Sequence, residues 1–163
     1  MSELVLLLAQ TVLTGCLAGW MLSGVLDNWR HPHLNESAVA MVMWFDLMEA
    51  EYPEDFAHVK HRKVENPKVV RAMFYLLVLW ESIAALLLLA GTVLLVLALF
   101  GGAGGETARA VATLGALAFT MNWAGFLIGG NYFCYWYCHF SAQATHMMLA
   151  LWGTLVVILL QMG

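Results

Sequence analysis

The chain has 163 residues, of which 62% are hydrophobic and only 11% are charged, whereas soluble domains have roughly 45–50% apolar and about 25% charged residues. A water-soluble globule of this length could not bury so much apolar surface, which excludes a soluble enzyme and a disordered chain. The net charge of -4 and the lack of a dense basic tract in the sequence exclude a nucleic-acid-binding protein.

Four runs with at most one charge are each long enough to cross a bilayer. A hydrocarbon core of about 30 Å needs about 20 apolar residues at 1.5 Å rise per residue. The runs cover about residues 4–26, 72–100, 110–130 and 142–162. The sequence therefore predicts an all-α membrane protein, a single membrane domain over residues 1–163 with four transmembrane helices.

The basic residues predict how these helices are oriented. Six of the seven lie in the long connection at residues 27–71, and only Arg109 lies between the second and third spans. Lys and Arg near span ends favour the cytoplasmic side. We therefore expect the 27–71 connection in the cytoplasm and both termini outside it.

The long connection is expected to be partly helical. Residues 38–48 form an eleven-residue run in which Asp46 is the only charge, and this run is too short to span a membrane. The pattern predicts one helix in the interface or folded under the bundle, with Asn35 or Ser37 as its N-cap and Pro53 as its stop.

Basic residues and histidines of the connection have separate interpretations. We expect five basic residues to contact anionic lipid headgroups: Lys60, Arg62, Lys63, Lys68 and Arg71. Four histidines next to acidic residues could assemble a zinc site, although solvated side chains near the membrane are the favoured interpretation: His31, His33, His58 and His61.

Glu81 is a carboxylic acid inside the second span. Insertion scales give a cost of about 2.5–3.5 kcal/mol for a charge at mid-membrane, so such a residue is expected to have partners. Counting residues at 1.5 Å each places Glu81 about 13 Å and Asn122 about 12 Å from the same membrane edge. The first turns of the fourth span add Gln143 and His146. The sequence thus predicts an intramembrane polar cluster of four residues.

This cluster has two interpretations. If the fourth helix begins early, one of its faces carries five polar or aromatic residues that would turn towards Glu81: Tyr132, Tyr135, His139, Gln143 and His146. One interpretation is a proton-linked or ligand-binding site with Glu81 as the titrating group. The favoured one is a polar clasp that fixes helix register, with interhelical hydrogen bonds of about 0.6 kcal/mol each.

Soft metal ligands occur near the start of the fourth span. Copper or zinc could be held by four residues there: Cys134, Cys138, His139 and His146. Packing of small apolar thiols is the favoured interpretation. A haem held by two histidines is disfavoured because the first three spans contain no histidine. No cofactor is predicted, and copper, zinc or haem remain alternatives.

Three short motifs carry a family resemblance. They are MWFD at residues 43–46, Trp80-Glu81 with the small-residue stretch to Gly91, and GGNYF at residues 129–133 with Trp136 and Gln143. The chain resembles the bacterial family of predicted small integral membrane proteins, domain of unknown function number twenty-one sixty-five. The resemblance implies a four-span protein of the bacterial inner membrane and no established reaction.

The expected role is therefore a non-catalytic accessory, assembly or interaction subunit of a larger membrane system. Its expected partners are membrane lipids and either another membrane protein or a second copy of the chain. One alternative is a small oligomeric transporter or channel that uses Glu81 as its proton or ion group. A second is a metal or redox protein built on the cysteines and histidines named above.

Overall fold

The computed structural model describes residues 2–102 and 104–162. This part of the chain is all-α, without a strand. Four of its helices are long and apolar enough to cross a membrane: α1 (Glu3–Arg30), α5 (Pro67–Leu99), α6 (Gly105–Tyr132) and α7 (Phe140–Leu160). Between α1 and α5 lie four shorter pieces: α2 (Pro32–Met43), α3 (Asp46–Glu51), α4 (Pro53–Val59) and a 3-10 turn (Lys60–Arg62).

Small residues bring the long helices into close contact. Helix α5 packs between α1 and α6, and α7 packs on α6. A Cβ atom on Gly91 would lie 2.5 Å from the Cα of Ala112, and one on Gly115 would lie 2.7 Å from the amide nitrogen of Leu88. Helices in lipid associate through such backbone contacts, because burial of apolar side chains gives little gain there. The backbones of α5 and α6 are thus in direct contact at these two glycines.

The 27–71 connection differs from the single helix that the sequence predicts. Helix α2 begins at Pro32 rather than at a residue capped by Asn35 or Ser37, because proline needs no partner for an amide hydrogen in the first turn. The apolar run is interrupted at Phe45, whose φ of 57° is left-handed. A second helix, α3, ends at Glu51, just before the predicted stop at Pro53, and Pro53 is also the first residue of α4. The connection is therefore partly helical, as predicted, but residues 38–48 are divided between α2 and α3 and do not form one helix.

Helix α2 lies along the beginning of α5. Ala40 and Met43 pack against Val70, and the amide of Val64 donates to the carbonyl of Met43 at 3.1 Å. The connection thereby folds back on the bundle. We call this side of the molecule the connector end, and the opposite side, where α1 begins and α7 ends, the far end.

A tight turn separates α6 from α7, so α7 does not begin early. The amide of Tyr135 donates to the carbonyl of Gly130 at 2.9 Å, and that of Cys134 donates to Asn131 at 3.1 Å. With Cys134 at a φ of 53°, this is a Schellman termination in which cysteine occupies the position that usually holds glycine. Residues 133–139 are consequently a turn, and the continuous polar face considered above does not form.

Candidate functional site

The carboxylate of Glu81 is buried at the point where three long helices meet. Its residue is 7% exposed. The side-chain amide of Asn28 on α1 donates to Oε2 at 2.8 Å, and that of Asn122 on α6 donates to Oε1 at 3.4 Å. Each carboxylate oxygen therefore has an amide donor from a different helix, which offsets part of the free energy lost on removing the carboxylate from water.

A further amide extends this network towards the connector. Asn35 on α2 donates to Oδ1 of Asn28 at 2.6 Å. Next to it, the indole of Trp29 donates to the hydroxyl of Ser82 at 3.1 Å. Asn28 is thus fixed on both sides, as acceptor from α2 and as donor to α5. The sequence reasoning missed Asn28, because it ended the first span at residue 26; the helix continues to Arg30.

Beside Glu81 lies a cavity of about 730 Å³. Near the far end, α1 and α7 touch, and Gln10 donates to the carbonyl of Leu159 at 2.9 Å. Closer to the middle of the two helices, the rings of Trp20 and Trp152 are 6.2 Å apart. Towards the connector end the cavity lies between them, with residues 23–28 of α1 on one side and residues 141–146 of α7 on the other.

The cavity wall is apolar apart from a few groups. Helix α2 and the 133–139 turn border it at the connector end, and α5 and α6 supply its remaining walls. Carboxylates enter the wall from Asp27 and Glu81, and imidazoles from His139 and His146. No Lys or Arg is among the described residues that line the cavity. A ligand inside would therefore meet apolar surface and negative charge.

His146 is held in an aromatic stack on this wall. Its ring centroid is 4.7 Å from that of Phe126, 5.5 Å from that of Trp123 and 6.2 Å from that of Tyr135. Within the described chain, three buried polar atoms of this stack have no hydrogen-bond partner: Nδ1 of His146, Nε1 of Trp123 and the hydroxyl of Tyr135. In the turn beside the stack, burial lowers the pKa of His139, which favours the neutral imidazole.

The four residues of the predicted polar cluster have different positions. Glu81 and Asn122 are in hydrogen-bond contact, and His146 lines the cavity that Glu81 also lines. Gln143, one turn before His146, is not among the residues found to line it. Tyr132 is exposed on the opposite side of the turn, where the guanidinium of Arg62 lies 5.2 Å from its ring centroid.

The candidate metal ligands are not assembled. No group of three or more His, Cys, Asp or Glu side chains in the described residues is arranged to hold a metal ion. Cys134 packs with Phe45 and Phe56 of the connection, whereas His146 belongs to the aromatic stack on α6 and α7. Burial, and then the charge of Glu51, raise the pKa of the Cys138 thiol, which disfavours the thiolate that metals require. The structure supports neither the set of Cys134, Cys138, His139 and His146 nor the four histidines of the connection.

Three of the five predicted headgroup ligands have partners inside the protein. Lys63 pairs with Glu49, and Arg71 pairs with Glu36 at 2.8 Å. Arg62 donates to the carbonyl of Tyr132 at 3.0 Å. These contacts join parts of the connection to one another and to the bundle. The other two of the five basic residues, Lys60 and Lys68, are exposed.

The family to which the chain belongs follows from sequence comparison. A model of the family described as Predicted small integral membrane protein (DUF2165) matches residues 6–163, and the chain is a member of this family. No curated protein and no protein of solved structure matches the chain. The family description agrees with the four membrane-spanning candidates and assigns no reaction.

Proposed function

We propose that this family member is a non-catalytic accessory component of a membrane system, and that it acts by binding a small amphipathic molecule in the cavity. The observation that carries the proposal is the buried carboxylate of Glu81, held by two amides on the wall of an otherwise apolar space. Ligand sites are commonly cavities of about 300–1,000 Å³ with mostly apolar walls and a few placed polar groups.

Two hydroxyl groups on the cavity wall donate to the backbone, whereas that of Tyr135 has no partner within the described chain. The hydroxyl of Ser23 donates to the carbonyl of Trp20 at 2.8 Å, and that of Thr145 donates to Ser141 at 2.9 Å. Covalent catalysis needs a nucleophile whose proton is accepted by a neighbouring base. Neither hydroxyl is paired in that way, which supports binding rather than catalysis.

The first experiment measures what the protein retains on extraction. Native mass spectrometry is applied to the wild type and to two matched variants, Ala142→Trp in the cavity wall and Ala90→Trp on the exposed face of α5. We expect a bound small molecule on the wild type and on Ala90→Trp, and its loss from Ala142→Trp, because the added indole takes up space in the cavity that the molecule needs. Identical spectra for all three proteins would contradict the proposal.

A second candidate, a proton-linked transporter, is favoured by one specific observation. Oδ1 of Asn122 is buried without a partner in the described chain, although the same amide donates to Glu81. Rotation of this amide by half a turn would let Oδ1 accept a hydrogen bond from a protonated Glu81, since oxygen and nitrogen of an amide exchange places on such a flip. The Asn122 amide can therefore form a hydrogen bond with the carboxyl group of Glu81 in both protonation states.

The transporter candidate is tested in proteoliposomes loaded with a pH-sensitive dye. A transporter gives a proton flux above that of empty liposomes, and the flux disappears in Glu81→Gln. Flux equal to that of empty liposomes in both proteins removes this candidate and leaves binding as the function. Flux that persists unchanged in Glu81→Gln contradicts a role of Glu81 as the proton-carrying group.

A further inference from the structure

We propose that the molecule bound in the cavity is a monovalent organic cation with an apolar body, such as an alkylammonium or arylphosphonium ion. This inference rests on the proposed function and adds the chemical class of the ligand. Three independent features of the cavity support it: its charge, its aromatic surface and the unused acceptor capacity of Glu81.

The charge of the cavity is not balanced within the protein. The buried Glu81 and the exposed Asp27 line it, and no Lys or Arg does so among the described residues. The two ion pairs formed in the described chain, Lys63–Glu49 and Arg71–Glu36, use other carboxylates. A buried carboxylate without a counter-charge is costly, so a cation that enters the cavity gains the attraction which the protein itself does not supply.

The carboxylate of Glu81 also has room for another partner. An ionised carboxylate can accept about four hydrogen bonds. Glu81 accepts one from Asn28 at 2.8 Å and a longer one from Asn122 at 3.4 Å. The two amides orient the group and leave acceptor sites free for the ligand.

Aromatic rings provide a second attraction for a cation. Five of the aromatic residues that line the cavity are Trp20, Phe74, Trp123, Phe126 and Tyr135. A cation close to the centroid of a ring is stabilised by the negative face of the ring, and more strongly so when both are desolvated. Tyr135 is only 3% exposed, and its hydroxyl has no partner within the described chain.

The same features disfavour the other ligand classes. An anion would be repelled by Asp27 and Glu81, with no basic side chain in the described wall to compensate. A neutral apolar molecule would remove water from Glu81 and leave its charge unbalanced. A cation with an apolar body satisfies both the carboxylate and the apolar wall.

Two probes of nearly the same shape and opposite charge test the inference. Labelled tetraphenylphosphonium and tetraphenylborate are titrated onto the protein in nanodiscs of zwitterionic lipid, with empty nanodiscs measuring partition into the lipid. We expect saturable binding of the cation at one per chain, loss of that binding in Ala142→Trp, and no saturable binding of the anion.

The role of Glu81 is tested with two variants. Glu81→Gln keeps the shape and removes the charge, and it should weaken binding of the cation by about tenfold to a hundredfold, the usual range for a charged partner. Glu81→Asp keeps the charge and should bind the cation more tightly than Glu81→Gln does. This second variant keeps the test valid if glutamine impairs folding.

Several results would overturn the cation assignment. They are equal affinity of the wild type and Glu81→Gln, saturable binding of the anion, or no saturable binding of either probe. The proposed function is judged separately, by the molecule that native mass spectrometry finds on the wild type and not on Ala142→Trp. A neutral or anionic molecule there would leave the binding function intact and overturn the cation.

Discussion

A carboxylic acid in a membrane-spanning helix needs donors from neighbouring helices, and Glu81 receives them from α1 and α6. The sequence reasoning could pair Glu81 with Asn122, because residue counting from the same membrane edge gives both similar depths. It could not find Asn28, since that residue lies just after the first apolar run and nothing in the sequence shows that α1 continues past it.

Replacement of Asn28 tests the hydrogen bond between Asn28 and Glu81 directly. Asn28→Leu keeps the side-chain size and leaves Oε2 of Glu81 without its donor, so the free energy of unfolding should fall by about 1–3 kcal/mol. Thermal denaturation in detergent measures the change, with Asn131→Leu at an exposed position as the control. An equal melting temperature for Asn28→Leu and the wild type would show that the hydrogen bond at 2.8 Å does not stabilise the fold.

His139, in the turn before α7, predicts a dependence of stability on pH. Burial lowers the pKa of this imidazole below its ordinary value, so the unfolded chain binds a proton more readily than the folded protein does. The contribution of neutral His139 to stability is complete above the pKa of about 6.5 that histidine has in the unfolded chain. It is lost as the pH falls through the lower pKa that His139 has in the folded protein. Melting curves are recorded from about pH 8 to about pH 5, which brackets the ordinary pKa of histidine. The melting temperature should fall less over this range for His139→Gln than for the wild type. A parallel loss in both proteins would assign the effect to other groups.

At the level of the elements, the sequence predicts the four long helices well and the turns poorly. Apolar runs define the spans because lipid demands them, and the helices extend past the predicted ends by up to five residues: α1 by four at its end, α5 by five at its start. The sequence did not indicate the turn at Phe45, and it left residues 131–140 open between turn and helix, because Phe45 and Cys134 adopt a left-handed φ that a sequence normally signals with glycine.

The Cys134 turn gives a prediction of its own. A β-branched side chain is strongly disfavoured at a φ of 53°, so Cys134→Val should lower the melting temperature clearly. Cys134→Gly relieves the backbone strain and loses the packing of a buried thiol, and these effects should nearly cancel. Equal melting temperatures for the two variants would contradict the left-handed assignment.

Close packing of α5 on α6 is tested with glycine variants. Gly91→Ala places a methyl group against the backbone of Ala112 and should cost about 1–3 kcal/mol. Gly19→Ala on α1 meets no atom within 4 Å and should be neutral or slightly stabilising, because alanine is the better helix former. Denaturation of both variants in detergent measures the difference, and a neutral Gly91→Ala would mean that the two helices are further apart than described.

For the molecule as a whole, the four long helices form a bundle whose interior is incompletely filled. Helices α1 and α7 touch at the far end and leave the cavity at the connector end. This opening lies between two helices that are distant in the chain, and no local pattern encodes it. The cavity is therefore the part of the candidate site that the sequence could not predict.

The orientation of the bundle remains a prediction of the charge distribution. Six of seven basic residues lie in the connection, which predicts a cytoplasmic connector and termini on the other side. Alkaline phosphatase, which is active only outside the cytoplasm, should be active when fused after Met162 and inactive when fused after Ala57. The reverse pattern would show the opposite orientation.

We infer that the cavity beside Glu81 is occupied when the protein is in a membrane. An electron cryo-microscopy map of the wild type in nanodiscs, with an antibody fragment bound to add mass, would show the occupant itself. We expect density from a non-protein molecule between α1 and α7, in contact with the carboxylate of Glu81. A cavity closed by direct packing of α1 on α7, or one that holds no density at a resolution which shows side chains, would contradict it.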